Sequence, residues 1–277
     1  MTLPTAPNAA AEPTVAVAGS GGRARLERAS PFILVAALVA LWEALDRWLD
    51  IPRFLLPAPS DIAKLMAAEW PLIWMHSLAT IGSIVTGYIA AALFALAVSA
   101  LMIRFVLAER LIMPLFVALQ SVPKIAIAPL ILVWVGAGTG SKIVVVASIA
   151  FFPIVINTMT GFKEVDYGLA DVFRSVDAGA RQTFFRLRLP YAMPYIFAGL
   201  RIATTLAVLG AIVAEWLAAS NGLGYLVLSG SFNFNTARSF AAIIMLGLIG
   251  TAFFSLMSFI ERSMPWRREG GDATTAA

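Results

Sequence analysis

GLADVFRSVDAGARQTFFRLRLPYAMP, residues 168–194, is a charged, arginine-rich island between long apolar runs. The chain has 277 residues, 60% hydrophobic and only 13% charged, so what this island touches decides how the rest is read. Leu169, Val172, Phe173, Val176, Ala180, Phe184 and Leu187 recur at three- and four-residue spacing, which lines one face of a helix with apolar groups. Asp171, Arg174, Arg181, Arg186 and Arg188 fall on the other face. Asp177-Ala178-Gly179 interrupts the pattern, because glycine tolerates a left-handed turn and Asp can cap the helix that follows. The spacing predicts two short helices joined by a turn. Pro190 and Pro194, each lacking a backbone donor, then reset the chain direction. Three readings of such a loop stand open: a solvated connection, an amphipathic helix lying on anionic lipid, and a docking surface for another protein.

Working outward, the composition is that of a membrane protein, since soluble domains are only about 45–50% apolar. Six windows approach the ~20 apolar residues that cross a hydrocarbon core: 31–49, 76–103, 110–135, 141–161, 193–218 and 239–261. Basic residues sort to alternate connections. Arg23, Arg25 and Arg28 precede the first window, Arg104 and Arg110 lie in the second connection, Lys163 and the island's arginines in the fourth, and Arg262, Arg267 and Arg268 follow the last. The opposite side carries Arg47, Arg53, Lys64, Lys142 and Arg238. This asymmetry predicts that both termini and the 162–192 segment are cytoplasmic. Residues 1–30, rich in Ala, Pro and Gly, read as a disordered cytosolic tail ahead of an uncleaved first span. Residues 31–262 are then the transmembrane domain and 263–277 a second cytosolic tail. The absence of cysteine excludes disulfides and thiol chemistry, and one histidine, His76, cannot make a multi-histidine metal site. The net charge of +4 belongs with the cytoplasmic loops and gives no reason to invoke nucleic acid.

DVFRSVDAGARQTFFRLRLPYAMPYIFAGLRIA, residues 171–203, resembles the EAA loop of the membrane subunits of binding-protein-dependent ABC importers. Counting back from Leu189-Pro190, that pattern's Glu falls on Asp171, its second Ala on Phe173, its Gly on Asp177 and its aliphatic residue on Leu187. The acidic residue, the aliphatic and Leu-Pro are kept in kind; the Ala and Gly positions are not, and Gly179 is expected to supply the turn. LPAPSDI at 56–62, SVPKIAIAPLILVWVGAG at 121–138, FFPIVINTMTGFKEVD at 151–166 and AEWLAASNGLGYL at 214–226 are similar to the nitrate, sulfonate and taurine branch of these permeases. The resemblance implies an all-α polytopic permease of the type I importer fold in a bacterial inner membrane. It implies no cofactor on this chain, ATP being used by two copies of a separate ATPase. It further implies a second, identical protomer and an extracytoplasmic binding protein docking on 50–74 and 219–238. The nearest phosphate-loop mimic, GAGTGSK at 136–142, fails in spacing and context, which agrees. Asp171, Phe173, Arg174, Val176, Asp177, Gly179, Phe184, Leu189 and Pro190 are then the ATPase-coupling residues, with Phe173, Val176 and Phe184 as anchors. No chemistry happens to the substrate, so the chain is not an enzyme.

Polar groups inside spans are costly and usually face a cavity or a helix interface. Lys124 and Glu215 lead the candidates for the translocation pathway, followed by Gln120, Ser121 and Asn157. Glu215 reads equally as interfacial, and Lys124 as snorkelling or as one half of an ion pair. Pro123 and Pro129 are expected to break the third span, freeing carbonyls that could line a cavity. The rival function is a proton-coupled secondary transporter working through Glu215 or Asp46. An intramembrane protease lacks both a Gly-x-Ser-Gly setting and a His-Glu-x-x-His motif.

Overall fold

The computed structural model describes residues 20–218 and 220–264; the first 19 residues and those after 264, with most of both expected tails, lie outside them. The chain divides after Ile51 into two units. The first contains α1, Ser20–Leu49, a single helix braced by Arg47 and Glu43 at 2.6 Å. It starts ahead of the tail boundary expected at residue 30. Ala24, Arg25, Leu26 and Glu27 are strong helix formers, so propensity carries the helix beyond its apolar part.

The described residues of the second unit form helices joined by short turns and loops. α2 (Pro59–Ala68) leads into α3 (Trp70–Arg104), and α4 (Val106–Gln120) and α5 (Lys124–Val135) precede α6 (Thr139–Lys163). α7 (Tyr167–Ser175) and α8 (Ala180–Thr183) make up the island. A π-helical turn, Phe184–Arg188, runs into α9 (Leu189–Ala218), and α10 (Leu223–Phe232) and α11 (Thr236–Arg262) complete the chain. Four helical stretches are long and apolar enough to cross a membrane: Trp70–Arg104, Thr139–Lys163, Ala180–Leu217 and Thr236–Arg262.

The break expected within the window 110–135 is present, as a pair of helices bent by 103°. Pro123 makes the break by opening α5, whereas Pro114 and Pro129 sit inside α4 and α5. Pro190 and Pro194, contrary to expectation, do not reset the chain: the helix runs unbroken from Ala180 to Leu217. The π turn immediately ahead of Pro190 widens the helix where the proline ring and its missing N–H would otherwise disturb the ladder.

α6 lies at the centre, packed along both α3 and α9. Close approach is possible because the facing residues are small. Ala203, Ala207 and Ala211 form a fully buried stripe on α9. On α3, a Cβ at Gly87 would come within 2.5 Å of the Val146 Cβ, so only glycine fits. Between lipid-solvated helices such small-residue contacts replace the hydrophobic effect as the source of association. Tyr88 fastens the assembly, donating to the Leu200 carbonyl at 3.0 Å and meeting Phe253 edge-on at 5.0 Å.

Candidate functional site: an amphipathic turn, a bent helix pair and a buried polar corner

The island folds as two helices and a turn. Asp166 caps α7 by accepting from the Leu169 N–H at 3.1 Å. At the other end of α7 the Ala178 N–H reaches back to the Phe173 carbonyl at 3.0 Å, a six-to-one closure around a left-handed residue. That residue is Asp177, with φ +56°; Gly179 sits at φ −63° and caps α8 without a side chain. The left-handed position therefore falls where the EAA pattern has its glycine. Asp is one of the few residues that tolerates it.

Which side chains point outward differs from the spacing argument. Phe173 and Phe184 are half-buried: Phe173 lines a cavity beneath α7, and Phe184 packs on Phe162 at 5.5 Å. Leu169, Val172 and Val176 are the exposed apolar stripe, Val176 at 67%. Asp171 and Arg174 pair with each other at 3.0 Å in full exposure, a contact of little energetic weight. Leu189 joins the core, while Pro190 stays exposed.

At the bend between α4 and α5, Gln120 and Ser121 are exposed. Lys124 donates to the Gln120 carbonyl at 3.1 Å, and its ammonium lies 4.8 Å over the Phe152 ring. Such a placement gives the cation a favourable contact without a carboxylate partner. The bend thus gathers three of the five pathway candidates. Asn157 is elsewhere, turned back on α6 to donate to the Pro153 carbonyl at 2.7 Å.

Glu215 sits in a different setting, 1% exposed near the C-terminal end of α9. Thr80 of α3 donates to its carboxylate at 2.9 and 3.1 Å, and the Gly224 N–H donates at 2.8 Å. Neighbouring groups complete the corner. His76 Nδ1 accepts from the Gly222 N–H at 2.9 Å, and Thr80 Oγ1 accepts from the Leu223 N–H at 2.8 Å. Lys142, only 6% exposed, donates to the carbonyl and side-chain oxygens of Asn221 at 3.2 and 2.5 Å. The amide groups that open α10 are thus satisfied by side chains of two other helices, and a carboxylate faces the positive end of the α10 dipole. Sequence reasoning counted Lys142 among the few basic residues of the non-cytoplasmic side and gave Thr80 and Asn221 no part. A polar residue inside an apolar run was the available signal, but its partner lies up to 146 positions away.

At the same end of the bundle, Arg238 of α11 grips Glu69 in two bonds of 2.8 and 2.6 Å, and Thr236 donates to the Phe54 carbonyl at 2.5 Å. Between these lies an open cleft of about 680 Å³ bearing Arg53, Asp61 and Phe234. Among the described residues no group of three metal-ligating side chains comes together.

Long apolar spans, a helix pair bent at a polar break and an amphipathic turn joined to a span are the architecture of a polytopic membrane protein. The chain belongs to the binding-protein-dependent transport system inner membrane component family, which it matches over residues 83–265. It is 35% identical over 241 residues to the formylaminopyrimidine transport permease protein ThiX of Halalkalibacterium halodurans, covering 86% of this chain and 96% of that one. It is 32% identical to the riboflavin transport system permease protein RibX of Chloroflexus aurantiacus, over 83% and 87% of the two chains. With the putative aliphatic sulfonates transport permease protein SsuC of Bacillus subtilis it shares 30% identity over 91% and 92%. The chain is therefore a multi-pass inner-membrane permease subunit of an ABC importer, a transport component and not an enzyme, that works with an ATPase and a solute-binding protein. These matches lend nothing to a proton-coupled secondary transporter.

Proposed function

We propose that two identical copies of this chain enclose a pathway for a small polar solute, a sulfonate-like anion or a heteroaromatic vitamin precursor of the kinds named in its relatives. Two ATPase subunits bind the ATP and hold the 169–188 segment in a surface groove; this chain carries no cofactor. The observation that supports this most is the join between α7 and α9. The exposed stripe of Leu169, Val172 and Val176 ends at the Asp177 turn, and from Ala180 onward 38 residues form one helix that reaches the Glu215 corner. A push on that stripe has a stiff element to travel along. Both termini are cytoplasmic in this reading, on the strength of the arginine-rich connections. The solute passes the α4–α5 bend, where Gln120, Ser121 and Lys124 offer polar groups, and the binding protein docks over the Phe54–Arg238 end.

The test is co-purification in detergent with the ATPase of the same transporter. Val176→Asp combined with Asp171→Arg is expected to insert normally and to lose the ATPase. Phe173 is left intact because it packs inward. Retention of the ATPase by this double variant would remove the 169–188 segment from the coupling role.

A further inference from the structure

On the bundle side of the island, opposite the Leu169–Val176 stripe, lies a basin of about 610 Å³. Arg104 from the end of α3, Arg174 from α7, Arg181 from α8 and Arg188 from the π turn all line it, and no carboxylate does. Arg174 is neutralised by Asp171. Among the described residues Arg104, Arg181 and Arg188 pair with no acid; Arg104 rests 5.8 Å from the centre of the Phe105 ring, which leaves its charge available. Three guanidinium groups around one hollow concentrate positive potential there, which favours an anion.

The walls narrow the choice of anion. Ile103, Phe184 and Phe185 supply apolar surface, and the basin sits where the apolar spans Trp70–Arg104 and Ala180–Leu217 meet at their ends. Along α3 from this point, Leu93, Phe94 and Leu101 are exposed, a track for hydrocarbon. A soluble anion has no use for such a track. An acidic partner protein would approach from the outward face of α7, whereas Ala170 and Phe173 line a cavity on its bundle side.

We infer that this basin is a binding site for an anionic phospholipid, its phosphate held by Arg104, Arg181 and Arg188 and an acyl chain lying along α3. Guanidinium matches phosphate through paired N–H donors, and basic hollows between helix ends are suited to acidic head groups.

The test is delipidation of the full chain in detergent, re-addition of phosphatidylglycerol or phosphatidylcholine, and native mass spectrometry of the bound lipid. Wild type is expected to prefer phosphatidylglycerol. Arg104→Gln/Arg181→Gln/Arg188→Gln should lose at least about tenfold of that preference, given roughly fivefold per basic residue near a bilayer surface. Arg110→Gln/Arg186→Gln/Arg262→Gln, equal in charge but outside the basin, should keep it. Equal preference in all three proteins, or none in wild type, would overturn the assignment. Full displacement of the lipid by millimolar inorganic phosphate would transfer the site to a free anion. If the basin variant binds lipid as wild type does but no longer captures the ATPase, the arginines serve that partner instead.

Discussion

Glu215 and Gly222 are seven residues apart and occupy the same corner: a Cβ placed on Gly222 would lie on the Glu215 carboxylate, with φ at +112°. Two costs coincide at this residue. An L side chain is strained in that backbone region by about 1–3 kcal/mol, and the overlap forces either the loop or the carboxylate to move. Gly136 separates the costs, since it has φ +86° and open space where a Cβ would stand. Gly222→Ala is expected to lower the melting temperature in detergent well beyond Gly136→Ala. Equal shifts would mean that the corner yields easily and that Gly222 matters only for its backbone.

The corner also predicts what Glu215 itself contributes. Removing it as Glu215→Ala leaves the Gly224 N–H without its buried acceptor, a loss on the order of 1–3 kcal/mol, while the Thr80 hydroxyl falls back on the His76 carbonyl at 3.2 Å. Glu215→Gln keeps one acceptor oxygen for Gly224, and its amide can donate to Thr80, which still receives Leu223. The glutamine variant should therefore melt close to wild type and the alanine variant far below. If both fall together, the negative charge facing α10 and Lys142 is what holds the corner.

Much of this architecture can be read from one sequence because lipid imposes it: a span must be long and apolar, and those from 76–103, 141–161 and 239–261 lie within the observed helices. The island's turn was legible from Asp177-Ala178-Gly179, yet the wrong residue of the three was given the left-handed conformation. A glycine is the lower-energy choice for it, and only the six-to-one bond from Ala178 to Phe173 places it at Asp177. Helix continuity through Pro190 was illegible for a similar reason, since a π turn is a property of the ladder and not of any residue type. Glu215 and Lys124 were singled out by cost alone. Cost says that a polar residue has a partner or a cavity, but not which. Lys124 sits at an exposed bend, while Glu215 is enclosed by α3 and the start of α10.

Asp177 offers a direct check on the turn. With φ at +56° and an exposed side chain, it bears a strain that glycine would not. Asp177→Gly is expected to leave the 166–180 segment as protected from proteolysis as in wild type, with stability changed by less than about 1 kcal/mol. Asp177→Val, β-branched at a left-handed position, should open it to cleavage. A valine variant as resistant as wild type would show that the turn can close without the left-handed residue.

Arg238 and Glu69 are both about three-quarters buried and meet in two bonds, joining the start of α11 to the residue between α2 and α3. A fork-on-carboxylate contact of this kind is one that lysine cannot reproduce, because an ammonium presents a single point of charge. Arg238→Lys should therefore lose stability nearly as Arg238→Ala does. In a double-mutant cycle with Glu69→Gln, the coupling should be on the order of 1 kcal/mol, above the level of exposed pairs. Melting curves of the four proteins give that number. Coupling near zero would mean that the cleft between Phe54 and Arg238 is held by the Thr236 bond and its aromatic neighbours alone.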